Sequence, residues 1–232
     1  MTRRRVSNPL ALAVLGCLAE RPMHPYEIST TLRTRGKESS INLNYGSLYS
    51  VVASLQKHGL VAPRETSREG RRPERTVYEI TPAGRDEFED WLAELLSTPV
   101  RDFLSLEAGL SLMPGLPPDE VARLLSERAA KLQMEIGALD AMFAYTAEQK
   151  LPDIFLVEGQ YRRWMLAAEL DFVRRLADDI RSGAFGGTAV WRRMHELQAE
   201  GMSFEEILRD PVAHLGEEAR PLAQHPADPP RP

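Results

Sequence analysis

At Gly59 the periodicity of this chain changes, and few folds accommodate the change. Before that glycine, apolar residues recur at helical spacing in three short blocks. After it, "LVAPRET" and "RTVYEIT" are short segments with β-branched residues and a partial period of two. Between them lies "SREGRRPE", a loop with Gly70, Pro73 and three arginines, so the pair reads as a hairpin with a basic tip. Thr81 then predicts a cap for a helix that opens at Pro82 and is carried by Phe88, Trp91, Leu92 and Leu95 to about Leu96.

The blocks before Gly59 have their own punctuation. Asn8 offers a cap and Pro9 suits the first helical position, which predicts a helix to about Ala19, closed by the two prolines of "ERPMHP". A second helix starts near Pro25, with His24 before it and Glu27 in its first turn, and runs to about Thr34. Tyr26, Ile28 and Leu32 are expected to supply its packing. A polar turn, "RGKESSINLN", leads to a third helix with Asn44 as cap and Gly59 as stop. Helix, helix, helix, basic hairpin, helix is the order of a winged helix-turn-helix, whose third helix lies in the major groove of DNA.

The third helix, within "NYGSLYSVVASLQKHGLV", supports that reading. At about 100° per residue, Leu48, Val51, Val52 and Leu55 share one face and Gly46, Tyr49, Ser50, Ala53 and Lys57 the other. A solvated face would normally carry Glu and Lys pairs; this one carries small residues, hydroxyls and a single lysine. A groove of about 12 Å admits a helix only when its leading side is unobstructed. Asn44, Ser47, Tyr49 and Ser50 can bond phosphates or base edges, and Gly46 permits close backbone approach. Lys57, Arg64, Arg68, Arg71, Arg72 and Arg75 are candidate phosphate contacts. Residues 1–85 hold 14 Lys/Arg against 7 Asp/Glu, a surplus of seven positive charges, so with the whole chain at −5 the remainder carries −12. That asymmetry suits a front half that meets a polyanion.

At these residues the sequence resembles the PadR family of bacterial transcriptional regulators. The resemblance rests on "NPLALAVLGCLAERPMHPYEI", "NYGSLYSVVASLQKHGLV" and "RRPERTVYEITPAGRDEFEDWL", and covers about residues 8–96. Gly46, Leu48, Tyr49, Leu55 and Gly59 fall on the family's recognition helix, with Ser47 where threonine is common; Tyr78, Thr81 and Gly84 match its wing pattern. Tyr45 stands at a usual proline site and Pro25 at a usual glycine site, so Tyr45 joins the candidate DNA-binding residues as a position where base preference is altered. The resemblance implies a homodimer on an inverted-repeat operator in double-stranded DNA, usually as a repressor, with a longer helical, virulence-activator-like C-terminal domain.

The expected fold class is therefore mainly α with a small β-hairpin wing. Three regions are expected: a winged helix-turn-helix domain over 1–97, a helical dimerisation domain over 98–183, and a C-terminal extension over 184–232. In the second region the pattern predicts a short helix from Asp102 to Met113, then long helices from about Pro118 to Ala147 and Asp153 to Ser182 that pack antiparallel across "KLPD". Leu124, Leu125, Leu132, Ile136 and Leu139, with Trp164, Leu166, Leu170 and Val173, exceed what one antiparallel pair can bury, so a partner helix is expected. The extension has short helical patterns at Val190–Ala199 and Phe204–Leu208 and a proline-rich, disordered end; it either reinforces the dimer or is ordered only in part. Phe103, Phe143, Tyr161 and Trp164 are candidates for a small-molecule effector pocket between the rear helices or subunits.

Other function classes fit less well. The five histidines are scattered without metal-ligand spacing, "HELQAE" lacks the second histidine of a zinc-binding helix, and no phosphate-cradling glycine loop occurs. Neither catalysis nor a cofactor or metal is expected. A winged helix that binds protein instead of DNA is the remaining alternative, and the arginine-rich wing suits phosphates better. Arg3, Arg4 and Arg5 before "LALAVLGCLA" imitate a signal peptide, but the text after Cys17 runs straight into another helical pattern, so a buried first helix is expected. No later apolar run approaches the roughly 20 residues of a membrane span, and a single cysteine suits a reducing compartment, so a cytoplasmic protein without membrane contact is expected.

Overall fold

Asn8 starts the first helix as its sequence suggests: its side-chain oxygen accepts the Leu10 amide proton at 2.9 Å, and α1 runs Pro9–Glu20. The computed structural model describes residues 8–41, 45–67, 75–100 and 104–223. They fall into two compact units, residues 1–102 and 103–232.

In the first unit α1 is buried nearly all round, through Leu10, Ala11, Val14, Leu15, Cys17 and Leu18, which places the signal-like stretch at the centre of a core. Burial pushes the Cys17 thiol above its ordinary pKa, which removes thiolate character. Helix α2 spans Pro25–Thr34 and α3 Tyr45–Lys57. His24 caps α2: its Nδ1 accepts the Tyr26 amide at 3.1 Å, while the Glu27 carboxylate accepts the His24 amide at 2.8 Å. Ile28 and Leu32 pack inward as expected, but Tyr26 does not; it is 60% exposed, because the buried face of α2 is Pro25, Ile28, Ser29 and Leu32, and Tyr26 lies about 100° round the helix from Pro25, off that face.

A bidentate pair joins the ends of α1 and α2, with Arg35 donating to both carboxylate oxygens of Glu20 at 2.5 and 2.7 Å. These hydrogen bonds hold the Glu20 carboxyl below its ordinary pKa. Their contribution to stability is therefore present above the ordinary carboxylate pKa and lost as pH falls through the depressed one. Both side chains are about half exposed, so the effect is about 0.5 kcal/mol. Glu20→Gln is expected to lower stability by that amount at pH 7 and to make no difference once the pH is well below the depressed Glu20 pKa, as measured by urea midpoints.

Strands β1 (Val61–Ser67) and β2 (Arg75–Ile80) form an antiparallel hairpin, with Val61 opposite Ile80 and an irregularity between Pro63 and Glu65 that leaves Arg64 at a bulge. The proline-bracketed link between α1 and α2 also joins this sheet: Met23 and Tyr78 exchange both backbone hydrogen bonds at 3.0 Å. Helix α4, Pro82–Ser97, closes the unit by burying Trp91 and resting Phe88 close to Gly16 of α1.

In the second unit α5 (Ser105–Leu112) buries none of its residues. The long helices are α6 (Pro118–Glu148) and α7 (Val157–Ser182), the latter shorter than expected because Asp153–Phe155 forms a separate 3-10 turn. They pack antiparallel: Arg181 donates to the Ala122 carbonyl at 3.2 Å, Arg128 to Glu169 at 2.5 Å, and Arg163 to Asp140. Leu125, Leu132 and Ile136 meet Leu170, Val173 and Ile180 in the core. Residues 188–223 are folded as well. Helix α8 (Thr188–Ala199) places Trp191 in the same core, and α9 (Phe204–Arg209), α10 (Pro211–Leu215) and α11 (Arg220–Ala223) enclose a small one of Leu197, Ile207, Leu215 and Ala219.

Candidate nucleic-acid interface

The two faces of α3 separate as the spacing predicts. Leu48, Val51, Val52 and Leu55 are buried in the core of the first unit, whereas Gly46, Tyr49, Ser50, Ala53, Gln56 and Lys57 are exposed and Ser47 is half-buried. No carboxylate stands on the outward face. Ser50 donates its hydroxyl proton to the Gly46 carbonyl at 3.1 Å, so its oxygen remains as an outward acceptor.

The helix is held at its C-terminal end. Gly59 adopts φ +73°, its amide donates to the Gln56 carbonyl and the Leu60 amide to Leu55, each at 2.9 Å, which is a Schellman closure. A left-handed conformation costs a residue with a Cβ roughly 1–2 kcal/mol, so Gly59→Ala is expected to destabilise the first unit by that amount in thermal melts. Thr81 ties the same corner to the hairpin: its hydroxyl lies 2.8 Å from the Gly59 carbonyl and 3.1 Å from that of Leu60, and accepts the Gly84 amide at 3.0 Å. The orientation of α3 is thus tied to the root of the hairpin.

Of the basic candidates, Lys57 is exposed in the last turn of α3. Arg64 lies 3.8 Å from the Glu79 carboxylate on the neighbouring strand, with both side chains about half exposed. A pair of that kind is worth about 0–1 kcal/mol and exchanges readily for a phosphate. Asn44, Arg68, Arg71 and Arg72 lie outside the described residues. Tyr45 opens α3 and Arg75 opens β2, while their side chains lie outside what is described. The structure adds Tyr26 to the exposed groups of the helix-turn-helix; its place off the Pro25, Ile28 and Leu32 face was the available signal.

The Phe143 ring packs over Gly159, where a Cβ would come within 3.3 Å of it, and Tyr161 and Trp164 are 68% and 76% exposed on α7. Phe103 lies outside the described residues. Among the described residues no three His, Cys, Asp or Glu side chains gather to hold a metal ion, and no helix is long and apolar enough to cross a membrane.

The corner built from α1 to α4 is also where comparison with known proteins converges. Residues 14–90 match the model of the transcriptional regulator PadR-like family. This segment is a PadR-like domain. Among solved structures, Bacillus subtilis PadR in complex with operator DNA is similar at 18% identity and a TM-score of 0.56, covering 73% of this chain and 99% of that one. The same B. subtilis protein in complex with p-coumaric acid is similar at 17% identity and a TM-score of 0.56, covering 73% and 98%. A PadR-like transcriptional regulator from Bacillus cereus follows at 14% identity and a TM-score of 0.52, covering 75% and 99%. At these identities the likeness is one of fold: a PadR winged helix with further C-terminal helices. A comparison with curated proteins finds no match.

Proposed function

We propose that this chain is a cytoplasmic, sequence-specific DNA-binding transcriptional regulator that acts as a homodimeric repressor on an inverted-repeat operator. The observation that carries this reading is the exposed face of α3, which offers Gly46, Tyr49, Ser50, Ala53 and Lys57 without a carboxylate. Ser47, Tyr49 and Ser50, with Asn44 and Tyr45 ahead of them, read base edges and phosphates. Lys57, Arg64, Arg68, Arg71, Arg72 and Arg75 neutralise backbone along the flanking wing. Residues 1–97 form the DNA-binding domain, 98–183 the dimerisation domain and 184–232 a C-terminal extension.

The dimer follows from surface that one chain leaves open. Leu124, Met134, Met142 and Tyr145 of α6 fall within an arc of about 80°, and Tyr161, Trp164, Met165 and Phe172 of α7 within about 100°, and all eight are exposed. Apolar stripes of this length on a helix pair mark an association surface. An effector pocket around Phe103, Phe143, Tyr161 and Trp164 is completed only by a second subunit, and the p-coumaric acid complex of the B. subtilis relative supports a small molecule as the releasing signal.

Selection from random duplex DNA at two salt concentrations, with Gly46→Glu in parallel, tests the reading. The expected result is an enriched inverted repeat whose binding weakens steeply with salt and is lost in the variant, since the added carboxylate meets the polyanion where the helix must approach most closely. If no sequence is enriched and weak binding survives Gly46→Glu, α3 does not read bases and the winged helix serves as a protein-binding module.

A further inference from the structure

Within the second unit a cavity of about 780 Å³ opens between the Met113–Gly115 turn and helices α8, α9 and α11. None of the DNA-reading or subunit-pairing residues lines it. Met113, Phe185, Trp191, Met194, Phe204 and Leu222 supply its apolar walls. A Cβ built on Gly115, Gly186 or Gly187 would meet no atom within 4 Å, so open space lies beside each of these wall residues. Two long-range hydrogen bonds set its shape before anything enters. Trp191 donates its indole N–H to the Leu116 carbonyl at 2.8 Å, and His195 Nε2 lies 2.9 Å from the Pro114 carbonyl. A carbonyl only accepts, so Nε2 carries the proton in that contact, which leaves Nδ1 as the acceptor when the ring holds a single proton. Gln198, also on the wall, is exposed and adds an amide with donor and acceptor capacity.

Preformed concavity of this size, mostly apolar with a few polar groups, is what small-molecule sites share. Two methionines give walls that adapt to shape, and the aromatic rings give flat surfaces to stack on. We propose that this cavity binds a flat, largely apolar molecule of one or two fused rings carrying a single hydroxyl or amide-like group, which donates to His195 or pairs with Gln198. It is a site separate from the subunit-completed pocket around Trp164.

Calorimetric titration of the full chain with 2-naphthol, and with naphthalene as the analogue lacking the hydroxyl, tests this without DNA, so its outcome is independent of operator binding. Saturable binding at one molecule per chain is expected, several-fold weaker for naphthalene. Val190→Trp and Gly186→Leu fill the space from two sides and are each expected to weaken binding at least tenfold with unchanged circular dichroism and melting. Gly186 is exposed, which keeps the second variant informative if the first does not fold. Absence of saturation, or retention of full affinity in both filled variants, would overturn the proposal. So would a halving of the sedimentation mass in the filled variants, which would identify the cavity as a contact between copies.

Discussion

Gly84→Ala is expected to unfold the first unit at temperatures where the parent is folded. A Cβ at this position would sit 2.0 Å from the Leu60 carbonyl oxygen, 2.9 Å from Ile80 Cγ1 and 3.0 Å from the Leu60 carbonyl carbon. Two of these atoms are backbone, so no rotamer change relieves the overlap. The chain would have to part where Leu60 closes α3 and where the Thr81 amide donates to the Leu60 carbonyl at 3.1 Å. Separating α4 from that corner also disturbs the buried Trp91. The combined loss is roughly 3–5 kcal/mol, or a fall of at least ~12 °C in the melting of a unit of this size. Calorimetry should show this transition moving alone, with the second unit unaffected. Gly109→Ala is the control: nothing lies within 4 Å of its Cβ and the residue is in α5, so a neutral or slightly stabilising result is expected. A loss under about 1 kcal/mol for Gly84→Ala would mean that α4 does not approach Leu60 as described.

The second large effect is expected from Trp164→Glu. Trp164 is 76% exposed, so in a single chain the change costs little and removes an unfavourable apolar surface. In the proposed dimer the same position is covered, and an unpaired carboxylate there costs roughly 3–5 kcal/mol, which weakens association by about two to four orders of magnitude. Sedimentation equilibrium should move from about twice 26.1 kDa to the single-chain mass. Operator affinity should fall with it, because two half-sites held by one dimer bind about 10²- to 10⁴-fold more tightly than two independent domains. Trp164→Phe should retain both properties. A protein that keeps its double mass with Trp164→Glu would remove α7 from the subunit interface and, with it, the pocket that the second subunit completes.

Much of the first unit was legible in residue order. The helical period of Leu48, Val51, Val52 and Leu55 places them in the core because a helix repeats every 3.6 residues wherever it packs, and the opposite face is exposed for the same reason. Asn8, Thr81 and Gly59 bound their elements through contacts within a few residues, so their roles survive without tertiary knowledge. The surplus of apolar residues on α6 and α7 was also readable, since counting residues against faces needs only periodicity. Tyr26 went astray because its aromatic character suggests packing, whereas the spacing of Pro25, Ile28, Ser29 and Leu32 leaves it off the buried face.

The sequence by itself thus determined the order of the elements in the first unit, the hairpin among them and the carboxylate-free outward face of α3, because those depend on local spacing and on charge. Only the tertiary structure decided which glycine is indispensable. Gly84 resembles Gly109 in the text, and the carbonyl that forbids its side chain comes from Leu60, across the hairpin. The same holds for Met23, which joins the sheet through an isolated bridge only when Tyr78 is brought beside it, and for the cavity in the second unit, whose walls are separated by 75 and 81 residues until Trp191 and His195 bond to Leu116 and Pro114. Steric exclusion and long-range hydrogen bonds act on distance in space, and no periodicity along the chain encodes that distance.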